Sequence, residues 1–157
     1  MRRFGGFKHT NSKFGSSKAE WNGLTFDSKY ELQHYLYLLE LQKEGKICGL
    51  RRQTPFLLIP KTTKIVPKQL KTKVKYVERT IELQALYHND FTYFDNEKKV
   101  YVCSEFKSAM TCKLADYILR RKLMVKKIYS HNQKGRSQWI FREVVYINKK
   151  KITITDK

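Results

Sequence analysis

The residues with the most chemical promise in this chain are Asp90, Glu105 and Lys107. One residue separates Glu105 from Lys107, so on a strand the two side chains share a face. The turn residues Asp95-Asn96-Glu97 allow a strand starting at Asp90 to fold back on a strand running from Lys99 to Phe106. That hairpin brings Asp90 towards the Glu105 end. Two converging carboxylates can hold Mg²⁺, which takes oxygen ligands and keeps several waters. A metal held there lowers the pKa of a bound water and neutralises charge on a phosphate. A neighbouring lysine can orient the attacking water or offset charge building on phosphorus. Glu31 offers a third carboxylate, although it also reads as the N3 residue of a capping box begun by Ser28. Each residue has a plainer reading too. Asp90 suits a strand end, and an acid-x-Lys triplet in a lysine-rich chain suits a solvated charge-paired face.

The composition points to a polyanionic partner. The chain has 157 residues, with 33 Lys plus Arg against 14 Asp plus Glu, a formal charge of +19. Such an excess favours nucleic acid. Aromatic residues make up 13%, more than a disordered basic peptide would carry, so a packed core is expected. No apolar run is long enough to span a membrane. Residues 1–20 read as a flexible basic arm: Arg2, Arg3, Lys8, Lys13 and Lys18 sit among Gly, Ser and Asn, with Phe4, Phe7 and Phe14 interspersed. The arm lacks the apolar stretch of a secretory signal. Cys48, Cys103 and Cys112 are odd in number and match no metal-binding spacing, so reduced thiols are expected.

The elements that must position these residues follow from periodicity. Residues 21–157 form one domain. A helix is predicted from about Ser28 to Glu44, with Leu32, Tyr35, Leu36 and Leu39 at helical spacing. Ser28 with Glu31 caps it, Phe26 staples it and Gly45 stops it. Ile47 to Ile59 reads as strand, ended by Pro60. Residues 61–75 hold six lysines and no acid and read as a solvated basic loop. Val77 to Leu86 and Asp90 to Phe94 read as two strands. In the strand Lys99 to Phe106, Val100 and Val102 point one way, and Tyr101, Cys103 and Glu105 the other. A basic second helix is predicted from about Thr111 to Lys127, with Leu114, Tyr117, Ile118 and either Arg121 or Leu123 as its stripe. Residues 130–137 read as a polar turn. Gln138 to Ile147 and residues 152–155 read as closing strands. This is a mixed α/β pattern with strands clustered between two helices.

In order, the chain carries Phe26-Asp27-Ser28-x-x-Glu31, Arg52-Gln53-x-x-Phe56, Asp90-Phe91-x-Tyr93, Glu105-x-Lys107, a Thr and a basic helix. This series resembles the PD-(D/E)xK nuclease superfamily. Within it, residues 20–145 resemble the small phage and prophage endonucleases of the DUF1064 type, related to Holliday-junction resolvases. The resemblance implies a restriction-endonuclease-like α/β fold, with a mixed central sheet flanked by helices and an αβββαβ core. It implies Glu31, Asp90 and Glu105 as metal ligands, Lys107 as a catalytic cation and Gln53 near the active site. The chain departs from the family pattern at Asn89 before Asp90 and at Ser108 after Lys107, and it has a longer stretch before the basic helix.

The expected activity is Mg²⁺-dependent endonucleolytic cleavage of structured or branched DNA, with Mn²⁺ as substitute metal and no small-molecule cofactor. Arg2, Arg3, Arg51, Arg52, Lys68, Lys71, Lys73, Arg120, Arg121 and Lys122 are the expected backbone contacts, so binding should weaken steeply with salt. Nothing reads bases, so selectivity for structure rather than sequence is expected. Two symmetric cuts at a junction imply a homodimer; its interface is not legible, and Tyr30 and Tyr37 are candidates. The expected setting is the cytoplasm of a bacterial host, with the protein encoded by phage, prophage or host. His88-Asn89-Asp90 and His131-Asn132 suggest an HNH nuclease only weakly, because no second ligand stands near either histidine. P-loop, dinucleotide-binding and zincin motifs are missing. The alternative of a different class is a non-catalytic basic nucleic-acid-binding protein, in which the same acids would pair with surplus cations.

Overall fold

Ser28 starts the first helix as expected: its hydroxyl accepts from the Glu31 N–H at 3.0 Å. The helix, α1, covers Lys29–Lys43. In this computed structural model the described residues are 18–135, 137–148 and 151–157. The arm expected at residues 1–20, with Arg2 and Arg3, lies outside them apart from its last three residues. Those lead into a small hairpin of β1 (Ala19–Trp21) and β2 (Leu24–Phe26), which lies just ahead of α1.

After α1 the chain forms β3 (Ile47–Ile59), β4 (Thr62–Gln69), β5 (Val74–Glu82), β6 (Ala85–Asp95) and β7 (Val100–Ser108). A short 3₁₀ turn at Thr111–Lys113 leads to α2 (Ala115–Asn132), then β8 (Trp139–Asn148) and β9 (Lys151–Asp156). Among the described residues the fold is thus mixed α/β, with nine strands, two helices and a mostly sheet core. No helix among them is long and apolar enough to cross a membrane.

Five strands form the main sheet in the order β3-β6-β7-β8-β9. Neighbours are antiparallel except β7 and β8, which are parallel. A parallel pair needs a crossover, and α2 supplies it. The two helices cover opposite faces. On the α1 face, Leu38 packs with Ile47, Phe91, Val102, Phe106 and Val144. On the α2 face, Met124 and Ile128 pack with Tyr87, Cys103 and Phe141. The alternation expected in β7 holds, since Val102 and Cys103 belong to different clusters.

Several expectations need correction. The buried stripe of α1 is Glu31, His34 and Leu38, about one residue off the predicted Leu32, Tyr35, Leu36 and Leu39. Leucines surround this helix on several sides, and the sheet selects the face that stacks His34 on Phe106. Phe26 packs on Tyr35. In α2 the buried residues are Tyr117, Met124 and Ile128, while Leu114 is exposed, and the helix continues into the predicted turn. Residues 61–75 are not a loop. They form β4 and the start of β5, an antiparallel hairpin separate from the main sheet. Lysine-rich composition hid a β-branched alternation. The predicted strands Val77–Leu86 and Asp90–Phe94 divide differently, at residues 83–84, with everything after belonging to β6. All three cysteines are free.

Candidate active site

The ladder between β6 and β7 runs from Asp95↔Val100 to Phe91↔Ser104 and stops there. Beyond that point the two strands part, and side chains take over from the backbone. Asp90 Oδ2 accepts from the Phe106 N–H at 2.7 Å. Asn89 is fully buried and donates to the Phe91 carbonyl and to Thr92 Oγ1. An asparagine before Asp90 therefore satisfies backbone that the parting strands leave unpaired.

Into this fork projects Lys107. Its ammonium lies 2.9 Å from Asp90 Oδ2 and 2.7 Å from Glu105 Oε1. Glu105 is almost wholly buried, and its Oε2 has no hydrogen-bond partner among the described residues. Burial, and then the Asp90 charge, push its pKa up to about 7. Burial disfavours charge on Lys107, but the Asp90 and Glu105 carboxylates outweigh it and hold the ammonium above its usual range. The Tyr87 hydroxyl, which also lines the cleft, has no hydrogen-bond partner among the described residues.

A cleft of about 420 Å³ opens over these groups. Asp27, Gln53, Tyr87, His88, Asp116 and Arg120 line it beside the three central residues. Gln53 lies across the sheet from Asp90, between the pairs Arg52↔Phe91 and Thr54↔Asn89. Its backbone is left-handed, φ 47°, which is uncommon for a residue with a side chain. Glu31 stands apart from the trio. It is buried, its Oε2 accepts from the Asp27 N–H at 2.9 Å, and burial followed by the Asp90 charge raises its pKa.

Among the described residues, then, the sheet brings Asp90, Glu105 and Lys107 together, with Gln53 on the cleft wall and Glu31 outside the lining. The family model described as a protein of unknown function, DUF1064, matches residues 11–148. This chain belongs to the DUF1064 family. No curated protein and no solved structure matches it.

In this DUF1064 protein the oxygen donors that could hold a hard cation are Asp90 and Glu105. Asp90 and Glu105 present carboxylate oxygens to one point, and the buried Glu105 Oε2 lacks a partner. Lys107 occupies the shared position, and no three His, Cys, Asp or Glu side chains among the described residues close into a ready-made cluster.

The expected backbone contacts separate into two groups. Arg51, Lys68, Lys71, Lys73, Arg120 and Lys122 are exposed. Arg52 and Arg121 are engaged inside the protein. The Arg52 guanidinium donates to the Thr25 carbonyl at 2.7 Å and lies 3.9 Å from the centre of the Phe26 ring. Arg121 donates to Glu143 at 2.8 Å. Tyr30, a candidate for an interface, stacks instead on Tyr146 with ring centres 4.0 Å apart, whereas Tyr37 is exposed. Asp27 and Asp116 line the cleft without having been singled out from sequence. Each has a capping or first-turn explanation that conceals it: Asp27 precedes the N-cap of α1, and Asp116 sits in the first turn of α2.

Proposed function

We propose that this protein is a Mg²⁺-dependent endonuclease of the PD-(D/E)xK type. The observation that carries this reading is the meeting of Asp90, Glu105 and Lys107 where β6 and β7 part, at the floor of a cleft. With the β4–β5 hairpin set aside, the chain order α1-β3-β6-β7-α2-β8 supports it, because it is the order expected of an αβββαβ core. The excess of cations on the chain supports a phosphodiester substrate.

Asp90 and Glu105 would hold the metal. A bound Mg²⁺ supplies charge neutralisation on the scissile phosphate and a lowered pKa for its water. Glu105 must shed its proton to act as a ligand, and a pKa near 7 makes that proton labile at neutral pH. Lys107 keeps its proton, so it serves as a fixed positive charge and a hydrogen-bond donor to water or phosphate, not as a general base. Gln53 on the cleft wall can donate to the substrate. Arg120 on the rim can hold a neighbouring phosphate. A junction or other branched DNA, a homodimer making paired cuts, and a phage or bacterial cytoplasmic setting complete the proposal.

A second reading is a basic nucleic-acid-binding module without catalysis. The observation favouring it is that Lys107 already forms an ion pair with each of the two carboxylates. One experiment separates the two. Labelled four-way junction, flap, duplex and single strand are incubated with Mg²⁺, Mn²⁺ or EDTA, using wild type and Glu105→Ala. Metal-dependent cutting that disappears in the variant supports the nuclease. Binding by both proteins with no cutting by either overturns it in favour of the binding module.

A further inference from the structure

The β4–β5 hairpin leaves the main sheet at the active-site end. β3 runs into it at Ile59 and β6 resumes at Ala85, two residues before the cleft-lining Tyr87. Its register sorts the side chains onto two faces. One face carries Lys64 opposite Arg79, Val66 opposite Val77 and Lys68 opposite Lys75. The other carries Ile65 opposite Glu78, Pro67 opposite Tyr76 and Gln69 opposite Val74.

Two pairs of like charges thus stand directly across from each other on one face. Such pairs have Cβ atoms only ~5 Å apart and destabilise a ribbon. Among the described residues none of these four cations makes an ion pair. The hairpin acids do not relieve them: Glu78 belongs to the other face, and Glu82 pairs with Thr62 at the base. The arrangement is costly for the free protein and favourable against a row of phosphates. An eight-residue strand reaches roughly 26 Å at the usual rise. A two-stranded ribbon is also of a width that the major groove of a duplex admits.

We propose that the β4–β5 hairpin is a β-ribbon arm that enters a groove of duplex nucleic acid, with Lys64, Lys68, Lys75 and Arg79 against phosphates. The inference rests on the nucleic-acid reading above and adds the duplex, the face and the four residues. It makes the arm a clamp that holds the helix beside the cleft.

The test is duplex binding in EDTA, where no cutting intervenes, measured across a salt series. Lys64→Glu with Lys68→Glu gives each remaining cation an opposite charge across the strand, so the hairpin is retained or stabilised. Duplex affinity is expected to fall about tenfold or more near ~100 mM salt, with the salt slope shallower by roughly 2. Lys68→Gln with Lys75→Gln provides a neutral second variant, with a smaller change in the same direction. Thermal unfolding of both variants checks the fold. Unchanged affinity and slope in folded variants overturn the arm, and this is the outcome expected if the hairpin serves self-association instead. The nuclease reading is decided separately, by cleavage with metal. Arm variants that lose binding support the arm whether or not the wild type cuts.

Discussion

Asp90 and Lys107 meet at 2.9 Å although the strands bearing them have already stopped pairing. The same carboxylate oxygen accepts from the Phe106 N–H, so Asp90 stands in for the missing rung of the ladder. A structural and a chemical role thus fall on one side chain. The local sequence reflects this: Asn89 closes the backbone on the β6 side, and the acid-x-Lys triplet supplies the opposite wall.

Those two roles can be separated by substitution. Asp90→Ala removes the acceptor of a backbone N–H and leaves Lys107 with Glu105 alone. Its stability should fall by about 2 kcal/mol. Asp90→Asn keeps an oxygen for the Phe106 N–H and should lose less. Neither variant should cut DNA. Urea unfolding beside the cleavage assay reads both effects; equal stability in the two variants would show that the backbone bond contributes little.

Glu105 gives the protein a pH signature. Its folded pKa, near 7, lies above its ordinary value of 4.5 because burial and the Asp90 charge disfavour ionisation. Between those two values the folded state holds a proton that the unfolded chain has lost. Rising pH therefore removes stability across that window, and the loss is complete above about 7. Glu105→Gln cannot ionise. The variant should gain on wild type by on the order of 3 kcal/mol between about pH 4.5 and 7, and then level off. Denaturant unfolding at four pH values tests this; parallel stability curves would contradict it. Mg²⁺ added near ~pH 6.5 should release protons from wild type and none from the variant.

Much of this was legible in the sequence, and the reasons differ from residue to residue. The i, i+2 relation of Glu105 and Lys107 follows from strand geometry, and the Asp95-Asn96-Glu97 turn sets where β6 and β7 meet. The capping box of α1 is chemistry local to a few residues. What stayed hidden depends on distant partners. The face α1 buries is chosen by the sheet, not by its own periodicity. The left-handed backbone of Gln53 leaves no mark on the neighbouring residue types. The hairpin at residues 62–82 was masked because its five lysines outweighed alternating β-branched residues.

Arg120 and Arg121 are adjacent, yet they should behave oppositely. Arg120 lines the cleft and faces solvent. Arg121 turns inward to Glu143, which also accepts from the Tyr117 hydroxyl at 2.7 Å and from the Lys157 ammonium. Burial alone would raise the pKa of Glu143, but these donors prevail and lower it to about 2. Their support is present above the ordinary value of 4.5 and is lost as pH falls towards 2. Arg121→Ala should destabilise by about 2 kcal/mol. Arg120→Ala should leave stability within about 0.5 kcal/mol while weakening duplex binding and its salt dependence. Thermal unfolding of the pair checks the contrast; equal melting shifts would refute it.

Glu31 is the residue on which the capping and the metal readings compete. Its carboxylate accepts from the Asp27 N–H, and its own N–H donates to Ser28. Glu31→Gln preserves an acceptor for Asp27 and removes only the ability to ionise. If capping is all that Glu31 does, the variant should fold and cut like wild type. If Glu31 also serves the site beside Asp90, stability should stay within about 0.5 kcal/mol while cleavage drops by at least about tenfold. Ser28→Ala supplies the opposite control. It removes the cap from α1 at a cost of about 1 kcal/mol and leaves the carboxylates in place. Urea unfolding and cleavage rates for the two variants therefore move in opposite columns. A Glu31→Gln protein that keeps both its stability and its full activity would assign this carboxylate to the helix alone.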